Sequence, residues 1–86
     1  MSKFSIKWDK KAVEILRKID KKETRRIIKK MNEVATNPIH YLEPLKEVNA
    51  YKIRIGDYRV IVDFHIDEKV IDVLFIGHRK NIYKNL

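Results

Sequence analysis

The stretch Tyr51-Lys52-Ile53-Arg54-Ile55-Gly56-Asp57-Tyr58-Arg59-Val60-Ile61-Val62 decides the fold. Apolar and cationic side chains alternate up to Gly56-Asp57, and alternation resumes beyond it, as in two strands with one buried face each. A Gly-Asp pair between such runs is a two-residue hairpin turn. With the turn there, Ile55 stands opposite Tyr58, Arg54 opposite Arg59, Ile53 opposite Val60 and Lys52 opposite Ile61. Tyr51, Ile53, Ile55, Tyr58, Val60 and Val62 then share the face that must meet other elements. Lys52, Arg54 and Arg59 emerge together on the other face, and a three-residue loop would dissolve that grouping.

Working outward toward the C-terminus, Tyr58 to Phe64 leads to a charged tip at Asp67-Glu68-Lys69, and Val70 to Ile76 is apolar at nearly every position. Such a run suits a strand inside the sheet with both faces covered. The tail from Gly77 to Leu86 can form a final helical turn. Toward the N-terminus, residues 36–49 are irregular, with Pro38 and Pro44 bracketing His40 and Tyr41, so they form the one long connection. Before it, Ile27, Ile28, Met31, Val34 and Ala35 mark a helix that begins after Asp20, with Glu23 at capping-box spacing, and ends at Asn37-Pro38. Ala12, Ile15, Leu16 and Ile19 mark an earlier helix from Lys10 to Ile19, capped by Asp9. Phe4, Ile6 and Trp8 alternate with Lys3, Ser5 and Lys7 as a first strand. Trp8 and Phe75 are read as core residues.

The predicted architecture is α+β in the order β-α-α-β-β-β. A two-helix hairpin covers one face of a largely antiparallel four-stranded sheet, and residues 1–86 form a single domain with the other face partly open.

Composition narrows the function. Lys and Arg outnumber Asp and Glu by 20 to 12, a formal charge of +8, and the resulting field attracts polyanions, nucleic acid first among them. The chain has no cysteine, which excludes disulfides and thiolate metal cages and fits a reducing, cytoplasmic setting. No window approaches a membrane span or a leader peptide, so no membrane contact is expected. His40, His65 and His78 are too scattered for a metal motif, and there is no phosphate-cradling glycine loop or nucleophile elbow. No cofactor is therefore expected. Lys22, Arg25, Arg26, Lys29 and Lys30 lie off the apolar stripe of the second helix, as either a solvated surface or a contact for an RNA backbone.

The Arg54–Arg59 pair is the unusual feature. Like charges directly opposite each other on neighbouring strands destabilise a sheet. At about 5 Å the repulsion is roughly 1 kcal/mol in water-like surroundings and about 3 at an effective dielectric near 20. A bound phosphate would convert that penalty into affinity, since guanidinium forks suit it and Lys52 adds a compact third charge. Internal pairing with Asp57, Asp63 or Asp72 is the competing account. Past the last strand comes Ile76-Gly77-His78-Arg79, and if the tail turns helically Arg79 and Tyr83 lie four residues apart on one side, within reach of that face, adding a guanidinium and a phenol, with or without the His78 imidazole. Such a set suits RNA cleavage by the ribose 2′-hydroxyl without a metal: a base takes the proton, cations stabilise the phosphorane-like state and an acid protonates the leaving oxygen. Tyr83 can orient the ribose, stack on a base, or anchor the tail.

The hairpin, the Ile76-Gly77-His78-Arg79 segment, Tyr83 and the element order closely resemble the RelE toxin family over nearly the whole chain. The hairpin also occurs in the related ParE toxins, which poison DNA gyrase. The resemblance implies an endoribonuclease that cuts mRNA in the ribosomal decoding site, inhibiting translation. It also implies a RelB-like antitoxin that wraps the toxin, and contact with operator DNA only through that complex. By resemblance, Lys52, Arg54 and Arg59 hold the scissile phosphate, Arg79 stabilises charge or protonates the leaving oxygen, and Tyr83 orients the attacking ribose. Arg54 stands where RelE carries lysine, which limits it to charge stabilisation. His78 also stands where RelE has lysine, either as an acid–base group, a role imidazole suits, or as a solvated or hydrogen-bonded residue. A gyrase poison and a non-catalytic nucleic-acid-binding module are the alternatives.

Overall fold

The hairpin closes where the alternation places it. In the computed structural model, which describes residues 3–79, the register sets Ile55 against Tyr58, Arg54 against Arg59, Ile53 against Val60 and Lys52 against Ile61. These strands are β3 (Tyr51–Ile55) and β4 (Tyr58–His65). The other elements are β1 (Ser5–Trp8), α1 (Lys10–Lys18), α2 (Lys21–Thr36), α3 (Pro38–Tyr41), β2 (Glu43–Pro44) and β5 (Val70–His78). The sheet order is β1-β5-β4-β3-β2. β1 runs parallel to β5 and every other pairing is antiparallel. The helical hairpin carries the chain away from β1, so the first strand ends beside the last.

The α+β layout is as expected, with one strand more. Residues 36–49 are not wholly irregular: Pro38 opens the short helix α3, where its missing N–H costs nothing, and β2 pairs Glu43 with Lys52 and Pro44 with Tyr51. A proline fits this edge position because it has no donor to offer a further strand. The last strand also runs beyond Ile76 to His78, so Gly77 and His78 belong to the ladder and not to a helical turn. The Arg79 N–H continues it, donating to the Asp57 carbonyl at 2.8 Å.

Local chemistry accounts for the helix ends. The Asp9 carboxylate accepts from the Lys11 N–H at 3.2 Å, capping α1. Asp20 occupies the N-cap of α2 without a side-chain hydrogen bond, and Glu23 turns to Arg26 at 3.7 Å, so the capping-box spacing is present without its bonds. Thr24 Oγ1 donates to the Leu16 carbonyl at 2.7 Å and ties the two helices together. Ala12 from α1 and Ile27, Met31 and Val34 from α2 form one apolar cluster with Ile53, Ile55, Val60, Val62, Ile71, Val73 and Ile76 of the sheet. Trp8 packs against this cluster, as read from the sequence.

Phe75 does not. A bulge between the pairs Val62–Val73 and Ile61–Phe75 makes Leu74 the extra residue of β5 and turns Phe75 to the row of Ile61 and Lys52. There Lys11 Nζ lies 5.3 Å from its ring centroid. No helix among the described residues is long and apolar enough to cross a membrane.

Candidate functional site

The turn that builds the site depends on one glycine. Gly56 has φ +60° and Asp57 is not in the left-handed region, which is the type II′ pattern. A Cβ at position 56 would also meet the Arg26 guanidinium of α2, with Nη1 at 2.7 Å. The tight turn holds Arg54 and Arg59 directly opposite each other on the face away from the core cluster. Lys52 is two residues further along β3 on the same face, between Ile61 on one side and Glu43 on the other. Across from Arg59 on β5 is Gly77, which contributes no side chain, and Arg79 follows two residues later with the same parity. Lys52, Arg54 and Arg59 therefore share one end of one sheet face, as the register predicts, and Arg79 reaches the same face by continuing the strand and not by a helical turn.

The carboxylates near the arginines are Glu43, which the sequence reading did not offer, and Asp57, which it did. Arg54 Nε lies 3.4 Å from Glu43 Oε2, a contact that satisfies the distance for an ion pair while Oε2 makes no well-directed hydrogen bond. The Arg54 and Glu43 side chains are 62% and 47% exposed, and surface pairs of this kind contribute at most about 1 kcal/mol. Arg59 Nη1 donates to the Gly56 and Tyr58 carbonyls at 3.2 and 3.1 Å, holding the guanidinium over the turn. An arginine has five donors, and these bonds engage Nη1 alone. Arg79 Nε is 3.8 Å from Asp57 Oδ1, a long contact between exposed groups. Asp63 and Asp72 face each other further down the sheet, where Asp72 meets His65 at 3.0 Å. Among the described residues neither forms an ion pair with Arg54, Arg59 or Arg79.

His78 is not in the cationic row. It pairs with Tyr58, and their rings meet edge to face at 5.6 Å on the opposite parity. Tyr83 lies outside the described residues. Sequence reasoning missed Glu43: its position beside Lys52 depends on the two-residue β2, and alternation cannot be read over so short a span.

A sheet face carrying Lys52, Arg54, Arg59 and Arg79, backed by an α-helical hairpin, makes this a small basic α+β domain with a surface suited to a polyanion. The model of the family described as ParE toxin of type II toxin-antitoxin system, parDE, matches residues 6–83. The protein named Putative toxin RelE4 of Methanocaldococcus jannaschii is 37% identical over 76 residues, spanning 86% of this chain and 81% of that protein. Among solved structures, a chain of the archaeal RelE-RelB complex of Pyrococcus horikoshii is 26% identical, with a TM-score of 0.77 over 91% of this chain and 97% of that one. The fold alone is shared with a chain of the Mycobacterium tuberculosis toxin-antitoxin complex RelBE2, at 16% identity and a TM-score of 0.84 over 91% and 100%. The chain belongs to the ParE toxin family of type II toxin–antitoxin systems, and its relatives among solved structures are RelE-like.

Proposed function

We propose that the chain is a ribosome-dependent endoribonuclease that cuts mRNA in the decoding site by attack of the ribose 2′-hydroxyl, without a metal. The observation that carries this reading is the Arg54–Arg59 cross-strand pair on the face turned away from the helices, with Lys52 and Arg79 beside it. A fold does not keep like charges opposed for stability, and an in-line phosphoryl transfer needs such preorganised cations where negative charge develops. Lys52, Arg54 and Arg59 hold the scissile phosphate, and Arg79 stabilises the charge building on the departing oxygen. Tyr83 orients the ribose. His78 takes part only by a change of rotamer or strand end, since its ring stands against Tyr58. The partners are the ribosome, mRNA in its decoding site, and an acidic RelB-like antitoxin, as in the relatives solved as RelE-RelB complexes.

Primer extension on transcripts from a cell-free translation reaction tests this. Wild-type protein truncates mRNA at discrete positions, and Arg59→Ala lowers the rate by roughly a hundredfold, the scale seen when one oxyanion-stabilising donor is lost. Intact transcripts with folded wild-type protein would refute it. The match to the ParE family description favours a second reading, a gyrase poison that cuts no RNA. That reading requires trapped double-strand breaks in a gyrase supercoiling reaction.

A further inference from the structure

A second cationic feature lies outside the sheet face. Between α2 and the end of β3 is a cleft of about 310 Å³ bordered by Arg26, Lys29, Lys30, Glu33, Arg54 and the turn at Gly56. Four cations face one carboxylate there. Three of them lie at i, i+3 and i+4 on one side of α2, within about 6 Å of helix length. Lys22 and Arg25, equally basic and on the same helix, do not border it.

The cleft is built from two directions. Gly56 has no Cβ, which lets the Arg26 guanidinium approach the turn, and any other residue at that position would push the guanidinium away. Arg54 borders the cleft while standing opposite Arg59 on the sheet, so one arginine joins the two cationic surfaces over the rim of the hairpin. The ion pairs within reach are weak. Arg26 meets Glu23 at 3.7 Å and Lys30 meets Glu33 at 3.4 Å, both along the helix surface, and Lys29 makes no ion pair among the described residues. Exposed pairs of this kind give way to a stronger anion.

We propose that this cleft holds backbone phosphates of the RNA strand where it leaves the sheet face, a second phosphate subsite that determines how much of the strand is gripped. The inference rests on the nuclease reading for its ligand. A protein partner is disfavoured, because an interface anchor needs apolar or aromatic side chains in a pocket, and the apolar contribution here is Ile55, already 3% exposed in the core. Phosphates need forks and point charges, which the cleft supplies.

The test is fluorescence anisotropy with a short 2′-O-methyl oligoribonucleotide, which binds but cannot be cut, across a salt series. Arg26→Gln with Lys29→Gln should weaken binding roughly tenfold and flatten the dependence of log K on log salt by about 1.4, the value for two single-strand phosphates lost. Lys22→Gln with Arg25→Gln, an equal change of charge outside the cleft, should leave the slope near wild type. Equal effects from both pairs would mean a diffuse field and would overturn the proposal. Unchanged RNA binding with lost binding of a poly-glutamate peptide would overturn it in favour of an acidic protein partner. Cleavage is scored separately on ribosomes. A cleft that grips the oligonucleotide in a protein that never cuts leaves this inference standing and removes the nuclease, and the reverse result removes the cleft alone.

Discussion

Neutralising Glu43 should tighten RNA binding. Glu43 Oε2 stands 3.4 Å from Arg54 Nε, within ion-pair distance. At that separation the unscreened attraction is about 1.2 kcal/mol in a water-like medium and about 5 at an effective dielectric near 20. Both side chains are about half exposed or more, so the lower figure governs, and the entropy of holding two long side chains reduces it to about 0.2–1 kcal/mol. Glu43→Gln keeps the shape, removes the competing charge and returns that energy to an incoming phosphate. The affinity for an uncleavable oligoribonucleotide should therefore rise about 1.4- to 5-fold at low salt, with the gain shrinking as salt screens the pair. A double-mutant cycle with Arg54→Ala makes the attribution specific, because the gain must vanish once Arg54 is absent. Weaker binding by Glu43→Gln would refute the view that the strand edge competes with phosphate for these cations, and a gain that survives without Arg54 would refute its assignment to the Glu43–Arg54 contact.

Three further changes probe the scaffold. Gly56→Ala forces an L side chain into the left-handed region and displaces Arg26, so stability should fall by about 1–2 kcal/mol and the melting temperature by roughly 4–16 °C; a melting curve matching wild type would show that the turn relaxes freely. Met31→Ala empties a fully buried site between α2 and the sheet and should cost about 2–5 kcal/mol in denaturant unfolding, with the size set by how far the cavity collapses. Thr24→Val removes the hydroxyl donor to the Leu16 carbonyl and should cost about 1 kcal/mol, read by the same unfolding curves, while leaving RNA binding unaltered.

The central hairpin is legible in the sequence because two independent signals agree on it. Alternation fixes which residues share a face, and Gly56-Asp57 fixes where the chain reverses, so the register of Arg54 with Arg59 follows from local chemistry. The helices are legible for the same reason, since Ala12, Ile27, Met31 and Val34 recur at helical spacing and all enter the core. What is not legible depends on partners distant in the chain. A two-residue strand such as Glu43–Pro44 has no period to detect, and it exists because β3 offers an edge. The cleft beneath Gly56 likewise requires α2 and the turn to meet across 30 residues of sequence, as Arg26 and Gly56 do.

The bulge in β5 matters most for the site. In an unbroken ladder running on from Val62 opposite Val73, Ile61 would face Leu74, Arg59 would face Ile76, and His78 would fall on the cationic side. The extra residue moves every later position by one. Gly77 comes opposite Arg59, His78 opposite Tyr58, and Arg79 takes the parity of Arg59. One inserted residue thus exchanges an imidazole for a guanidinium beside the Arg54–Arg59 pair and empties the space next to Arg59 by bringing a glycine there. Bulges re-aim side chains at functional edges. Here the displacement sets a guanidinium, which stays charged at any relevant pH, on the face of the Arg54–Arg59 pair in place of an imidazole. The irregularity also explains why Phe75 leaves the core while Ile76 enters it, so the same inserted residue that re-aims the end of the strand is recorded in the packing halfway along it.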